Sequence, residues 1–461
     1  MARRMRRVRA PPSRSARDAL LGASAVRYEP APERAQVASM SVRIPGETGR
    51  LESFLPMLLQ GTDGVVRWPS LRWDEKQFFE PDDDLAVKAG KSWSNHGGFV
   101  DDEVVMCFDN VFFGISGETA SALDPQQRVM LEVGYECLWQ AARTKNQVQG
   151  SKLGVFTAAY DTDWHDSQQA GNPDNYQGAC SAAIASRLAH WLRTRGPAMR
   201  VDTACSSSLV ALSVGDADLQ RRRRECAAAL VLSSMGQLAP YSWPLLCKMG
   251  MLSKIGRCFS FETSADGFVK GEGFCGVCLQ LYDGEASGLP CVLAGTCINQ
   301  DGRSASLTAP HGPSQRTLIE NCWRSAGLTP AELSVSECHG TGTALGDPIE
   351  VGALRKALAG HRGSSNPAML TSVKGCVAHM EASAGLSAFA KLLCLLRSGL
   401  VLQTAHLRIL SQHLDLDGLP WHVVAEPSPA RYVDTVAGVQ AFGVAGTNAR
   451  AELWGLRLKS E

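Results

Sequence analysis

The sequence predicts an α/β protein with layered sheets, and three observations support this prediction. From about residue 36 onward, short apolar runs typical of β-strands alternate with glycine-rich turns and stretches of helical periodicity. The chain has 461 residues, 44% of them hydrophobic, which is enough to bury a large core in two domains or one duplicated domain. A polar connector at 283–290 separates a longer first half from a shorter second half.

The charge balance argues against whole classes of partner. Lys plus Arg and Asp plus Glu each total 46, so no general attraction to nucleic acid or to acidic membranes is expected. The best candidate for a membrane span, 389–402, is interrupted by Lys391 and Arg397 and is shorter than the roughly 18 residues that a spanning helix needs. We therefore expect no membrane span and a function that depends on a local site.

The first 35 residues form a segment with two open interpretations. Residues 1–17 contain seven arginines and no acidic residue, a composition found both in organelle transit peptides and in disordered basic tails. A tail predicts a cytoplasmic protein, whereas a transit peptide predicts a plastid or a mitochondrion. The 15 cysteines are an odd number with no secretory signal ahead of them, which favours a reducing compartment over a disulfide framework.

Two helix starts are well marked in the sequence. Asp124 and Asp347 are predicted N-caps, because each is followed by a proline and, three residues on, by Gln127 or Glu350. Apolar residues at helical spacing follow both. We interpret both helices as structural.

Cys205 is the first candidate for chemistry. A predicted strand at 199–201 leads into Asp202-Thr-Ala-Cys-Ser-Ser-Ser208 and then into a helix, so the thiol lies at a strand-to-helix elbow. Unpaired backbone N–H groups and the helix dipole are expected to stabilise a thiolate there. A small buried cysteine with no chemical role is the alternative when this motif is taken alone.

Two histidines occupy the same kind of position. His339 opens the loop His339-Gly-Thr-Gly-Thr343 after a predicted strand, and His379 follows another predicted strand at 368–373. The carboxyl ends of strands in α/β sheets gather ligands, so one shared site is more economical than three unrelated positions. Each histidine taken alone is equally compatible with a structural role.

Other glycine and cysteine patterns were weighed as well. The turn at 442–448 can aim backbone N–H groups at an oxyanion. The dinucleotide-like glycine pattern at 271–276 runs into a strand-like segment, which argues against a nucleotide site. Cys275 and Cys278 lie inside that same segment without a second pair at zinc-like spacing, so we predict buried packing and no metal.

Together these residues resemble the ketosynthase (β-ketoacyl synthase) domain of type I polyketide synthases, over nearly all of 36–455. The matching motifs are Phe112-Phe-Gly-Ile-Ser116, Asp124-Pro-Gln-Gln-Arg128, 202–208, Gly250-Met-Leu-Ser253, 265–273, Asn299-Gln-Asp-Gly302 and 337–350. The resemblance implies a thiolase-like fold with duplicated α/β halves in five layers (αβαβα), and a homodimer. It divides the chain into an N-terminal half, 36–285, which carries the cysteine, and a C-terminal half, 286–455, which carries the histidines.

The resemblance also implies the chemistry. Cys205 becomes the acyl acceptor, His339 and His379 the paired catalytic histidines, and Lys374 the residue that supports the second histidine. An acyl group moves from an acyl carrier protein onto the cysteine, and a malonyl-type extender is decarboxylated to an enolate that attacks the acyl thioester. Neutral imidazoles suit this task, because they can donate N–H bonds to the extender oxygen as its charge grows.

Further roles follow from the same resemblance. The backbone N–H groups of Cys205 and Val444 form an oxyanion hole, and Thr341 and Thr343 contact the pantetheine arm of the carrier. No resident cofactor is implied, because phosphopantetheine is carried by the partner acyl carrier protein. The substrates are acyl and malonyl thioesters.

The sequence departs from the family pattern at two places. Cys376-Val-Ala-His379 stands where the family usually has Asn-Ile-Gly-His, and Arg450 stands where it has His, at a position we do not interpret as catalytic. We expect the altered loop to shift His379, and the reaction rate is sensitive to such a misplacement of a catalytic group. The chain ends 11 residues after Arg450, without room for the acyltransferase of modular synthases. We therefore expect either a freestanding enzyme or a fragment of a larger one.

Two alternative functions stay open on the sequence. One is a catalytically silent partner subunit that shapes the acyl pocket of a dimer. The other is a cysteine-dependent thioester hydrolase, or a decarboxylase without condensation.

Overall fold

The computed structural model describes residues 34–455, except for 47–48, 161–162, 165–177, 222–225, 283, 285–288, 290, 362–366, 419–420 and 431–434, together with two short strands near the N-terminus. Most of the basic segment at 1–35 and most of the connector at 283–290 lie outside the described residues. No helix in the described ranges is both long and apolar enough to cross a membrane.

Helices of the described residues are numbered α1 to α15 in chain order. They are Leu51–Gln60, Glu75–Phe78, Asp83–Ala89, Asp102–Met106, Asn110–Phe113, Gly117–Ala122, Pro125–Gln140, Lys145–Val148, Ala183–Leu192, Ser207–Gln220, Ser242–Lys248, Gly312–Ala326, Gly346–Leu358, Lys374–Val377 and Ala384–Ser398. Two 3₁₀-helices are Pro330–Glu332 and Glu381–Ser383.

Strands are numbered β1 to β17 in the same way. They are Val8–Arg9, Val26–Arg27, Ala35–Arg43, Val65–Arg67, His96–Gly98, Leu153–Ala159, Ala198–Val201, Ala228–Met235, Gly273–Leu281, Cys291–Gln300, Leu333–Glu337, Ala368–Thr371, Leu400–Val401, Trp421–Val423, Ser428–Pro429, Val436–Phe442 and Thr447–Gly455. In the described part of the chain, eleven of them form one mixed sheet in the order β14-β12-β11-β16-β17-β10-β3-β9-β8-β6-β7.

The strand order of the first half recurs in the second half. Strands β3, β9, β8, β6 and β7 are arranged as β10, β17, β16, β11 and β12 are, with the same parallel and antiparallel pairings. A long helix follows the third strand of each half, α10 after β7 and α15 after β12. The two halves of the sheet join through one described pair, Gln36 with Val292. The duplicated α/β architecture is therefore confirmed.

The buried apolar residues divide into layers. Helices α10 and α15 pack against each other and against strands of both halves, and they form the centre of the largest apolar cluster. Helices α7 and α9 cover the outer face of the first half, and α12 and α13 cover that of the second half. With each half of the large sheet counted as one layer, the order is helix, sheet, helix, sheet, helix. This is the predicted five-layer arrangement.

The two central helices meet at their N-termini. The Ser208 hydroxyl, in the first turn of α10, accepts the backbone N–H groups of Gly385 (3.0 Å) and Leu386 (3.2 Å) in α15. A Cβ on Gly385 would lie 2.5 Å from Leu209 Cγ, so the absence of a side chain permits this close approach. The segments that precede the two helices are thereby brought together at the middle of the molecule.

Candidate active site

Cys205 lies on the predicted elbow between a strand and a helix. Strand β7 ends at Val201 and α10 begins at Ser207. Ala204, just before the cysteine, has φ of +56°, a left-handed conformation that non-glycine residues rarely adopt. The Ser207 hydroxyl accepts the Thr203 backbone N–H at 2.8 Å and donates to the Ala204 carbonyl at 2.6 Å, which fixes the elbow. Cys205 itself is partly exposed.

His379 is held against the cysteine. Its Nε2 lies 3.0 Å from Cys205 Sγ, and the side chain is 1% exposed. The backbone of His379 pairs on both sides, because its N–H donates to the Val269 carbonyl (2.8 Å) and its carbonyl accepts the Gly271 N–H (2.9 Å). The Phe268 ring packs edge-on against the imidazole with the centroids 5.0 Å apart.

His339 joins the same group from the second half of the sheet. Its ring is perpendicular to that of His379, with the centroids 5.3 Å apart, and it also packs against Phe442. The loop that follows crosses close to other backbone: a Cβ on Gly342, which has φ of +75°, would lie 2.7 Å from the Phe259 nitrogen. Only glycine fits at this point.

Asp347 and Glu350, the carboxylates of the second predicted capping pattern, hold this loop. Glu350 accepts the backbone N–H groups of His339 (2.7 Å) and Gly340 (2.8 Å). Helix α13 begins at Gly346 with Leu345 as its N-cap, so the prediction that Asp347 is the N-cap is wrong. Asp347 instead turns back to the loop and accepts the Gly342 N–H at 3.1 Å. Its other oxygen accepts the Phe261 N–H at 2.8 Å, so a partner 86 residues away in the chain outweighs the local capping pattern.

Burial keeps both imidazoles neutral. It lowers the pKa of His339 and of His379 well below the usual value, and the positive charge of Lys374 lowers both further. Lys374 is itself buried in α14, and burial lowers its pKa while Glu337 and Glu350 oppose that shift. The Nδ1 atoms of both histidines are buried and have no hydrogen-bond partner among the described residues.

The expected thiolate is not the resting form of Cys205. Burial raises the pKa of the thiol to about 11, and the carboxylate of Glu381 adds to the shift, while the Tyr160 hydroxyl and Lys374 oppose it. Desolvation of the anion thus outweighs the stabilisation expected from the helix N-terminus. The site rests as a neutral thiol beside a neutral imidazole.

The other predicted site residues lie nearby. The Thr341 and Thr343 hydroxyls are 3.2 Å apart, and Thr343 also accepts the Gly346 N–H at 3.1 Å. Val444 lies in the turn between β16 and β17 and is 39% exposed. The neighbouring Gly443 packs on the cysteine elbow, since a Cβ there would lie 2.4 Å from the Thr203 carbonyl oxygen.

Sequence reasoning missed one residue that contacts the sulfur. The Tyr160 hydroxyl lies 3.7 Å from Cys205 Sγ, and burial raises the pKa of this phenol well above its usual value. Tyr160 directly follows β6, the second strand of its half, as His339 follows β11 in the other half. Recognition of the repeat would have provided the signal.

The remaining cysteines support the packing interpretation. All 15 are free, and Cys275 and Cys278 are fully buried within β9, as predicted. Across the described ranges, no group of three or more His, Cys, Asp or Glu side chains is arranged to hold a metal ion.

Comparison with known proteins agrees with the fold. The family described as "Beta-ketoacyl synthase, N-terminal domain" matches residues 33–283, and "Beta-ketoacyl synthase, C-terminal domain" matches 290–408. The chain therefore belongs to the β-ketoacyl synthase family.

Its similar proteins place it among the ketosynthase domains of polyketide synthases. The chain is 37% identical over 438 residues to polyketide synthase GfsB of Streptomyces halstedii, covering 91% of this chain and 8% of that protein. It is 39% identical over 425 residues to erythronolide synthase EryA3 of Saccharopolyspora erythraea, covering 90% and 13%. The chain thus spans a small part of the length of these relatives.

Solved structures agree. The oxazolomycin ketosynthase domain OzmH KS7 of Streptomyces albus JA3453 superposes with a TM-score of 0.85 at 29% identity, covering 93% of this chain and 75% of that chain. The ketosynthase from module 6 of the bacillaene synthase of Bacillus subtilis 168 gives 0.83 at 29% identity, covering 93% and 73%.

Proposed function

We propose that this chain is a condensing ketosynthase of polyketide assembly, with Cys205 as the acyl acceptor and His339 and His379 as the catalytic histidines. The observation that supports this most strongly is the contact of 3.0 Å between His379 Nε2 and Cys205 Sγ, with the His339 ring packed against that of His379. Burial of the histidines and desolvation of the partly exposed thiol favour the neutral forms of all three groups. Lys374 acts through its charge to keep the histidines neutral.

In the loading step, Cys205 Sγ attacks the thioester carbonyl of an acyl chain on an acyl carrier protein. His379 takes up the thiol proton as the new bond forms and passes it to the departing pantetheine sulfur, so no net charge develops. The backbone N–H groups of Cys205 and Val444 donate to the oxyanion. The neutral resting thiol makes this proton transfer part of the reaction.

In the condensing step, a malonyl-type extender loses CO₂. The electron pair of the broken carbon-carbon bond moves to the thioester oxygen as an enolate, and His339 and His379 donate hydrogen bonds to that oxygen. The enolate carbon attacks the acyl thioester on Cys205. Collapse of the tetrahedral intermediate expels the cysteine thiolate, which takes up a proton from water, and leaves a β-ketoacyl chain on the carrier.

The partners follow from this chemistry. The extender and the acyl chain arrive on phosphopantetheine carried by the acyl carrier protein, with Thr341 and Thr343 against the pantetheine arm, so no resident cofactor is proposed. We place the reaction in the cytoplasm; an organelle setting is the alternative if the basic segment at 1–35 is removed as a transit peptide. N-terminal sequencing of the protein from its source distinguishes the two.

Mass spectrometry of the protein with acyl and malonyl carriers tests the proposal. The wild type should gain one acyl group on Cys205 and then release a β-ketoacyl carrier. Cys205→Ala should abolish loading, whereas Cys297→Ala, at a partly exposed cysteine outside the site, should load normally. His339→Ala should lower decarboxylation roughly 100-fold to 1000-fold by removing one oxyanion donor.

The same assay separates the alternatives. Acyl-enzyme on the Cys205→Ala protein would refute the role of this residue. Free acid without a ketoacyl product identifies a hydrolase, acetyl carrier alone identifies a decarboxylase, and no reaction of any kind identifies a silent subunit.

A further inference from the structure

A chain of buried polar side chains connects Arg450 to the His339 loop. Arg450 Nη1 donates to Gln440 Oε1 at 2.5 Å, and Gln440 Nε2 donates to Glu350 Oε1. Glu350 in turn accepts the backbone N–H groups of His339 (2.7 Å) and Gly340 (2.8 Å). Arg450 is therefore two side chains away from the backbone of the catalytic loop.

The Arg450 end of this network is also held by buried groups. Arg450 Nε donates to Glu452 Oε1 at 2.6 Å, and the guanidinium also lies 5.7 Å from the centre of the Trp323 ring. Arg450, Gln440 and Glu452 are each at most 1% exposed. An ion pair buried to this degree adds little net stability, because the cost of desolvating both charges offsets their attraction. Removing one partner alone would leave the other charge buried and uncompensated.

The backbone is shaped around the guanidinium. Gln440 lies opposite Arg450 and Gly438 opposite Glu452 on the paired strands β16 and β17, so these side chains share one face. A Cβ on Gly438 would lie 2.0 Å from Arg450 Nη2 and 2.9 Å from Glu452 Oε2. Glycine at this position makes room for the charged pair.

Arg450 also fixes the direction in which the amide points. A glutamine amide can turn over and exchange its oxygen and nitrogen, but the guanidinium only donates, so it requires the amide oxygen. The amide nitrogen is then directed at Glu350, whose ionised form accepts only. Without Arg450, only the carboxylate of Glu350 would orient the amide, and the amide oxygen would lose this buried donor.

We propose that Arg450 is a positioning residue for His339, acting through Gln440 and Glu350. The inference rests on the proposed function, in which Cys205 serves loading, His379 serves both loading and decarboxylation, and His339 serves decarboxylation alone. It gives a role to the arginine that stands where the family usually has histidine. The role is expected to be selective, because the described bonds of Gln440 and Glu350 reach the His339 loop and none reaches the cysteine elbow. The turn between β16 and β17 packs on that elbow through Gly443, so loading is measured beside decarboxylation.

Two variants cut the network in different ways. Gln440→Leu removes the link, and the double variant Arg450→Met/Glu452→Met removes the anchor without leaving a buried charge. Decarboxylation of the malonyl carrier should fall roughly 10-fold to 100-fold, as for a small misplacement of a catalytic group, while acyl loading on Cys205 changes less than about threefold. Arg450→Lys, which keeps the charge without the planar fork, should recover part of the rate.

The matched control is the surface pair Arg316→Met/Glu320→Met on α12, where the two side chains are 2.7 Å apart and 48% and 35% exposed. It should change neither rate. Equal losses of loading and decarboxylation in the network variants, or no loss in either, would overturn the inference.

Hydrogen exchange gives a readout that does not depend on activity. The amide N–H groups of 339–340 should exchange at least about 10-fold faster in both network variants, while the amides of β16 and β17 keep their protection. Unchanged protection at 339–340 would overturn the inference even in a chain that neither loads nor decarboxylates. Inactivity of the wild type alone would instead count against the proposed function.

Discussion

The thiol of Cys205 and the imidazole of His379 form a neutral pair, because desolvation disfavours the charged form of each. The thiol pKa rises to about 11, and that of the imidazole falls well below its usual value. A proton therefore leaves the sulfur only as the acyl group arrives. This arrangement limits oxidation of the resting cysteine, since the thiolate is the reactive form.

Alkylation resolved by residue tests this resting state. Cys205 in the native protein should react with iodoacetamide ever faster as pH rises towards about 11. Cys297 is the contrast, because hydrogen bonding with Cys322 and Ser325 lowers the pKa of its thiol to about 7, so its rate should level off just above neutral pH. Peptide mass spectrometry of a pH series measures both in one sample. A plateau for Cys205 near neutral pH would show a resting thiolate.

Ala378, one residue before His379, carries backbone strain. Its φ of +69° and ψ of −178° lie in a region that only glycine occupies readily. The family usually has glycine here, and the departure noted in the sequence is thus a conformational one. The methyl group packs on Gly98 and Gly271, since a Cβ on either would lie about 3 Å from it.

Replacing Ala378 by glycine should therefore stabilise the protein. Relief of strain, up to about 3 kcal/mol, outweighs the roughly 0.8 kcal/mol lost with one buried methyl group and the roughly 0.5–1 kcal/mol of extra backbone entropy that glycine loses on folding. Urea unfolding should show a higher midpoint with an unchanged slope. Ala384→Gly is the control, because Ala384 has φ of −58° in an ordinary helical conformation and should lose stability. A lower midpoint for Ala378→Gly would contradict the strain.

At the scale of elements, the contact between the central helices sets the distance between the catalytic groups. Cys205 precedes α10 and His379 precedes α15, and the hydroxyl of Ser208 joins the two N-termini. The glycine at 385 makes the approach close. Any side chain there would push the helices apart and the sulfur away from the imidazole.

Gly385→Ala should lower both stability and activity. Its Cβ would overlap Leu209, and overpacking of this kind typically costs about 1–3 kcal/mol. Gly352→Ala in α13 is the matched control, since no atom lies within 4 Å of a Cβ there and alanine should gain about 1 kcal/mol as a better helix former. Thermal unfolding and acyl loading, measured on both, distinguish them. Equal behaviour of the two variants would refute the packing argument.

Local patterns in the sequence were sufficient for some elements and not for others. The elbow at Cys205 and the strand ends before both histidines were predictable, because each depends on a few neighbouring residues. The partners of Asp347 and Glu350 were not, because their carboxylates bond a loop that the fold brings back to the helix. The pKa of Cys205 depends on burial, which no short motif encodes.

On the scale of the whole molecule, β7 lies at one edge of the large sheet, with no further strand beside it among the described residues. Ala198 and Met199 on this strand are exposed in the single chain. An unpaired edge is a ready template for another strand. We therefore propose that the homodimer implied by the family resemblance forms along this edge, beside the cysteine elbow.

Met199→Lys should break that dimer, because an edge lysine opposes pairing between strands. Light scattering during gel filtration should give twice 49.4 kDa for the wild type and 49.4 kDa for the variant. Met106→Lys, at a methionine 52% exposed on α4, is the control and should keep the mass of the wild type. A dimer that survives Met199→Lys would rule out this edge.

The repeated strand order has one more implication, for the division of labour within the chain. The cysteine and the histidine that touches it stand at matching junctions, each after the third strand of its half. Two identical, unlinked copies of such a unit would have to carry the same residue at both junctions. Joining the copies in one polypeptide frees each junction to change separately, so that one can supply a nucleophile and the other a group that handles its proton.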